Sequence, residues 1–505
     1  LWRREAAERV ATTATASSAD VTLDTRRLPH LALAFGDDDA PGSTIDDARL
    51  IDADWRPGAL ALRRPAPTPA GRDGRPVILH VLHDWGGGVA RFVADQMRDD
   101  PDAVHLALVS SGDERRGFGR HLALYVDLDA CPIRRWACDP PIGDTDETHP
   151  AVQAALEQAI ASFGVSALRV SSLIGSTLDV LRTGLPTAYV VHDLFPFWPV
   201  LDDLEPLPRW EPARLAEAAS RPDFRFKERR PERWQARARA ALRALRDSGT
   251  ALVAPSRAAA ERLAALAPEL PPAAVIPHGL PPLPGPLEPR ASTRKPGPLR
   301  VLVPGRLRGG KGERLLDALL PRCPSGIDWC FAGGGGDAER YAALCGGRAV
   351  PEYTVEQLPA LVRDFDPDVA LLPSLLPETF GYVLSEMQAL GVPALAAAIG
   401  AYAERADADA GRLTVVAPKP AAFAAALAAK AVDPDALPRP RPTLATMPAA
   451  RRAWAAKQPV RPTRPRLLDG AAVVCLQHAN GMLRAIRDAL ASERDEAFRA
   501  YGRDT

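Results

Sequence analysis

Two carboxylates, Glu378 and Glu386, bracket the run Thr379-Phe380-Gly381-Tyr382-Val383-Leu384-Ser385. Val383, Leu384, Met387 and Leu390 share one face at helical spacing, and Gly391 before Pro393 is a stop signal. The pattern predicts a helix over 381–390, with Glu378 before it and Glu386 about two turns in, roughly 12 Å apart along the axis. A helix N-terminus between them leaves the amides of Phe380, Gly381, Tyr382 and Val383 free for an anionic diphosphate, and Gly381 allows close approach to the backbone. A carboxylate on either side can accept hydrogen bonds from a diol, which is the layout of a nucleotide sugar. The same residues also describe an ordinary amphipathic helix with one solvated and one loop glutamate.

Three further segments carry candidate chemistry. Gly86, Gly87 and Gly88 follow an apolar run and open a helical pattern, a spacing that fits neither Gly-x-Gly-x-x-Gly nor the Walker A loop. They permit a close phosphate or sugar approach, or simply a tight turn. Arg306 and Lys311 lie on the glycine-rich turn 304–312, where fixed positive charge can meet the charge that grows on a departing diphosphate. His192 ends a strand pattern and precedes Phe195, Phe197 and Trp198, rings that could stack on sugar faces, making them acceptor candidates.

These groups need elements to hold them. From Pro76 onward, short apolar runs alternate with helical stretches, giving strand candidates at 77–82, 104–109, 167–170, 188–191, 251–254 and 273–276. A proline-rich linker, 281–298, precedes a second series at 299–303, 328–332, 368–372 and 393–396. Two parallel sheets with helices on both faces are expected, two Rossmann-like halves with ligand in the cleft at the carboxyl ends of their strands. The expected units are an N-terminal extension of no assigned role (1–74), a first domain (75–285), a second domain (296–440) and C-terminal helices (441–505).

Composition sets the outer bounds. The 505 residues hold 63 Lys plus Arg against 63 Asp plus Glu, so charge gives no case for nucleic acid. The six cysteines form no Cys-x-x-Cys pair or zinc-like spacing, which fits a reduced cytoplasmic protein. No apolar stretch reaches the length of a membrane span and no signal-peptide pattern is present. The chain starts at Leu1 rather than Met, so an upstream segment would be invisible. The stretch 221–246 has ten basic and three acidic residues with Trp234, Ala238, Ala241, Leu242 and Leu245 on one face. It reads as a packing helix, with a peripheral contact to an anionic inner membrane face as the alternative. Asp-x-Asp pairs at Asp52/Asp54, Asp127/Asp129 and Asp407/Asp409 read as acidic turns, and no metal site is expected.

Taken in order, Gly86-Gly87-Gly88, His192-Asp193, Pro255-Ser256, 275–279, Gly305-Arg306-Leu307 with Lys311-Gly312, and Glu378 to Glu386 resemble retaining family 4 glycosyltransferases of the GT-B fold, over roughly residues 76–460. The resemblance implies acceptor binding chiefly on the first domain, nucleotide-sugar donor chiefly on the second, and a C-terminal helix near 449–456 crossing back to the first. It places Glu378 on the donor sugar and Glu386 on the ribose, with Arg306, Lys311 and the amides near Gly381 on the diphosphate. Gly87 and Gly88 would face the donor, and His192 would touch the transferred sugar near its reacting carbon. It further implies transfer with retention to a hydroxyl of a glycan or lipid-linked acceptor, with no metal or other cofactor. His278, where the family often has asparagine, and the aromatic run after His192 are departures that bear on the acceptor. The alternatives are another GT-B enzyme, such as a nucleotide-sugar epimerase or a phosphorylase, and a non-catalytic carbohydrate-binding or scaffold subunit. Donor base, donor sugar and oligomeric state stay open.

Overall fold

The structure, a computed structural model, describes residues 75–85, 87–113, 117–130, 132–204, 207–283, 297–408, 413–432 and 446–461. The N-terminal extension, Gly86, most of the proline-rich linker and the segment beyond 461 lie outside the described residues.

The chain forms two Rossmann-like α/β domains, each built on a largely parallel sheet. The first sheet contains β1 (Val77–His83), β2 (Val104–Asp113), β3 (Gly117–Tyr125), β4 (Arg134–Ala137), β5 (Val165–Val170), β6 (Thr187–Val190), β7 (Ala251–Ala254) and β8 (Ala274–Val275), in the order β4-β3-β2-β1-β5-β6-β7-β8. The second contains β9 (Leu299–Pro304), β10 (Ile327–Ala332), β11 (Arg348–Val350), β12 (Val369–Leu372), β13 (Ala394–Ala397) and β14 (Leu413–Val416), ordered β11-β10-β9-β12-β13-β14 and parallel throughout. Every residue of β1 and β5 is buried, as expected of central parallel strands covered on both faces.

The first sheet departs from the all-parallel expectation at one edge, where β3 pairs antiparallel with both β2 and β4. Three residues of β4 are exposed and its sequence is Arg-Arg-Trp-Ala, so charge hides the strand from a search for apolar runs while blunting the sheet edge. The short edge strands β11 and β14 escaped that search for a similar reason: only Leu413 among their residues is buried.

Core residues divide by sheet face. Leu79 and Val81 of β1 join Leu168, Trp198 and Trp234 on one side, while Leu82 joins Phe92, Val93, Val190 and Trp454 on the other. Trp454 belongs to the helix Met447–Lys457, which follows the second domain in sequence but packs on the first. There Arg451 donates to the Asp99 carbonyl at 2.7 Å, and Gln458 donates to the Leu168 carbonyl at 3.1 Å while accepting from Arg169 Nε at 3.2 Å. The basic stretch forms the helix Pro231–Asp247, whose Trp234, Ala238, Ala241 and Leu245 are buried in the first-domain core. That apolar face is therefore occupied by packing and is not presented to a membrane. Among the described residues no helix is long and apolar enough to cross a bilayer.

Candidate active site

The cleft is lined from both domains at the carboxyl edges of the sheets. On the second domain, the helix Tyr382–Ala389 begins one residue later than its sequence pattern, with Gly381 as N-cap at φ 81°. Only glycine fits there, because a Cβ would lie 2.5 Å from Tyr402 Cε1 in addition to the unfavourable φ. Among the described residues no side chain caps this helix, which leaves its first amides without a side-chain acceptor. Arg405 braces the turn from behind, donating to the Phe380 carbonyl at 3.2 Å, to Ser385 Oγ at 3.1 Å and to Gln388 Oε1. Glu386 is the fifth residue of the helix, just over one turn in rather than two, because the helix starts after Gly381.

The two glutamates have different surroundings. Glu378 Oε1 accepts from Lys311 Nζ at 2.6 Å and from Ser374 Oγ at 2.9 Å, so the glycine-rich turn and the loop before the helix are joined directly. Gly305 lies against the same helix, where an added Cβ would be 3.4 Å from Val383 Cγ2. Arg306 and Arg308 are exposed on this turn and carry no ion pair among the described residues. Glu386 is 3% exposed and accepts from Arg91 Nη1 of the helix Gly87–Asp99, across the cleft on the first domain. Burial pushes its carboxyl above the ordinary value, and the Arg91 charge opposes that shift.

On the first-domain side, a Cβ at Gly88 would sit 3.8 Å from Tyr382 Cδ2, which puts the described part of the triple-glycine turn against the second domain. Gly87 has φ 72° and Gly86 lies outside the described residues. His192 is at the cleft: its carbonyl accepts from Thr379 Oγ1 of the second domain at 3.3 Å. Its ring packs 4.9 Å from those of Phe92 and His278, and His278 in turn contacts Phe380 at 4.9 Å and Tyr382 at 5.6 Å. Burial lowers the imidazole of His192 to about 3 and that of His83 to about 4, and holds His278 well below its ordinary value, so all three are neutral near pH 7.

Phe195, Phe197 and Trp198, the acceptor candidates of the sequence, do not line the cleft. They are 2%, 2% and 0% exposed and belong to the first-domain core rather than to a sugar-stacking surface. Phe195 stacks on Phe226, and Trp198 Nε1 donates to Asp203 Oδ2 at 2.6 Å. The run is aromatic because it fills space beneath the turn that presents His192. Arg91, His83 and Arg405 escaped the sequence reading, since single charged or imidazole side chains on regular elements carry no spacing signal. The run Gly333-Gly334-Gly335-Gly336 at the carboxyl end of β10 packs beside the glycine-rich turn, where a Cβ on Gly333 would lie 2.7 Å from Tyr353 Cε1 and 3.6 Å from Gly305 Cα.

Comparison with known proteins bears on the domain that holds both glutamates. Residues 298–431 match the family model described as Glycosyl transferases group 1. The match spans Arg306, Lys311, Glu378 and Glu386 and covers nearly the whole of the second sheet and its helices. Solved structures similar to much of the chain include HepE from Anabaena in complex with UDP, 16% identical, covering 75% of this chain and 95% of that one at a TM-score of 0.45. Sucrose-phosphate synthase from Thermosynechococcus elongatus is 16% identical, covering 85% and 100% at 0.46. A glycosyltransferase from Rickettsia africae is 13% identical, covering 83% and 98% at 0.45. No curated protein sequence gives a significant match.

Proposed function

We propose that the chain is a retaining glycosyltransferase that moves a sugar from a nucleoside-diphosphate donor to a hydroxyl of a glycan or lipid-linked acceptor. The observation that carries this reading is the junction of Lys311, Glu378 and the uncapped helix at Gly381 inside the domain matching the Glycosyl transferases group 1 model. Helix amides and Arg306 form an anion cradle, and Lys311 is held beside it by Glu378, so positive charge is fixed where a leaving diphosphate would accumulate negative charge. Arg306, Lys311 and the helix dipole supply this charge from the protein itself, and the proposed mechanism is metal-independent.

In this mechanism Glu378 accepts hydrogen bonds from hydroxyls of the transferred sugar, and Glu386 from the ribose. His192 stands across the cleft as a neutral imidazole near the reacting carbon. The acceptor hydroxyl attacks from the face the diphosphate leaves, with its proton passing to the departing phosphate oxygen. Closure of the cleft around the reactants excludes water and limits donor hydrolysis.

A panel of nucleotide sugars, read by release of nucleoside diphosphate with and without acceptor extracts, tests the assignment. Lys311→Ala and Glu378→Gln are each expected to lower turnover by about a hundredfold or more with melting temperature nearly unchanged. Undiminished turnover in either variant, or diphosphate release that does not depend on an acceptor, would contradict transfer.

A further inference from the structure

The Arg91 guanidinium makes contacts that belong to neither a solvated helix face nor a self-contained salt bridge. It lies on the first-domain helix that opens at the glycine turn, with 20% side-chain exposure. Nε is 3.5 Å from Asp95 Oδ2 one turn along the same helix, and the group sits over the Tyr382 ring at 4.7 Å. Nη1 donates to Glu386 Oε1. A carboxylate of its own domain and a ring of the other thus fix the guanidinium in place, and the fixed guanidinium orients Glu386.

Glu386 is only half used by this pair. Oε1 is taken by Arg91, whereas Oε2 has no hydrogen bond among the described residues and is not closed off from solvent. A pair built only to join the domains would engage both oxygens in the bidentate fork that arginine favours. Here one oxygen is anchored and the other is left available, at the helix whose N-terminus forms the anion cradle.

We propose that Arg91 is a positioning residue for the nucleoside end of the donor: it holds Glu386 from across the cleft so that Oε2 meets the ribose diol, which makes ribose recognition depend on both domains. The inference rests on the donor reading given above. It assigns to the first domain a share in nucleotide recognition that Glu386 alone would place wholly on the second.

The test separates ribose from the rest of the nucleotide. Calorimetry on the full chain compares nucleoside diphosphates with their 2′,3′-dideoxy counterparts, for the unaltered protein, Arg91→Met, Glu386→Gln and the double variant. Methionine keeps an unbranched stem against Tyr382 while removing the donor; Arg91→Gln serves as a second variant should Arg91→Met fold poorly. The unaltered protein is expected to favour the ribose form by roughly tenfold. Each single variant should reduce that preference to about twofold or less, the double variant should reduce it no further, and affinity for the dideoxy form should stay nearly constant throughout. A merely structural Arg91 would weaken both ligands equally and keep the preference, and that result overturns the proposal, as does a preference that survives Glu386→Gln. If the unaltered protein binds no nucleoside diphosphate at all, the donor reading itself fails and takes the proposal with it; ribose-selective binding that survives in Arg91→Met removes the proposal alone.

Discussion

Among the described residues, His83 Nδ1, His192 Nε2, His278 Nδ1 and Tyr382 Oη are buried polar atoms with no hydrogen-bond partner, and all four come from residues at the cleft. An orphaned buried polar atom costs about 1–3 kcal/mol, so four in one place is a cost that bound hydroxyls would remove. Their imidazoles are neutral, which suits sugar hydroxyls better than an anion. His278→Phe retains a ring between Phe92 and Tyr382 and removes one orphan. It is expected to leave the melting temperature unchanged or higher while lowering kcat/KM by about tenfold, measured by thermal shift and by diphosphate release. The same imidazoles set an acid limit. His192 and His83 have folded values of about 3 and about 4 against 6.5 when unperturbed, so the unfolded chain binds more protons throughout that interval. Stability is therefore full above pH 6.5 and falls as pH drops toward 4, by roughly 2 kcal/mol per imidazole at pH 5, and urea denaturation at pH 7 and pH 5 measures the slope. His192 stands out in the sequence because it ends a strand pattern, and Glu378, Glu386 and Lys311 because their spacing along a helix or turn carries meaning. Arg91 was not legible, because its partner lies 295 residues away in sequence and only folding makes them neighbours.

Glycines distinguish the elements. Gly381 and Gly87 both have positive φ, 81° and 72°, yet an added Cβ at Gly381 meets Tyr402 at 2.5 Å whereas at Gly87 it meets nothing within 4 Å. Gly87→Ala should cost about 1–2 kcal/mol from backbone conformation alone. Gly381→Ala should cost more, because the Tyr402 ring must also move, and should in addition weaken nucleoside-diphosphate binding as the helix N-terminus shifts. Chemical denaturation and calorimetry on the two variants make the comparison. Repeating apolar runs revealed the central strands because strands buried on both faces are apolar along their whole length. Edge strands such as β4 are legible to no such search, since exposure demands polar residues and their pairing partner alone makes them strands.

At the scale of the whole molecule, the ion pairs between domains among the described residues are unequal: Arg91 with Glu386 is largely buried, whereas others are exposed. Arg257 pairs with Glu404 at 3.5 Å, but Arg257 is 70% exposed, so this bridge contributes little. The Ala258 amide donating to Glu404 at 3.0 Å and the Thr379 to His192 contact add direction rather than much energy. Removal of the indole in Trp454→Ala should destabilise the first domain by about 3–5 kcal/mol while leaving the second nearly intact, which domain-resolved hydrogen exchange can report.

The crossing helix has a consequence for the chain as it is made. Arg169, 4% exposed in the first domain, is covered by Trp454 at 4.5 Å and bonded by Gln458, residues that a ribosome delivers only after the entire second sheet. Of these two domains, the one made earlier is thus completed later, and until Met447–Lys457 arrives it exposes an apolar seat around Phe92 and Val93 with a guanidinium at its rim. Birth order and finishing order are reversed, and a nascent chain halted between the two sheets is the form most in need of a chaperone.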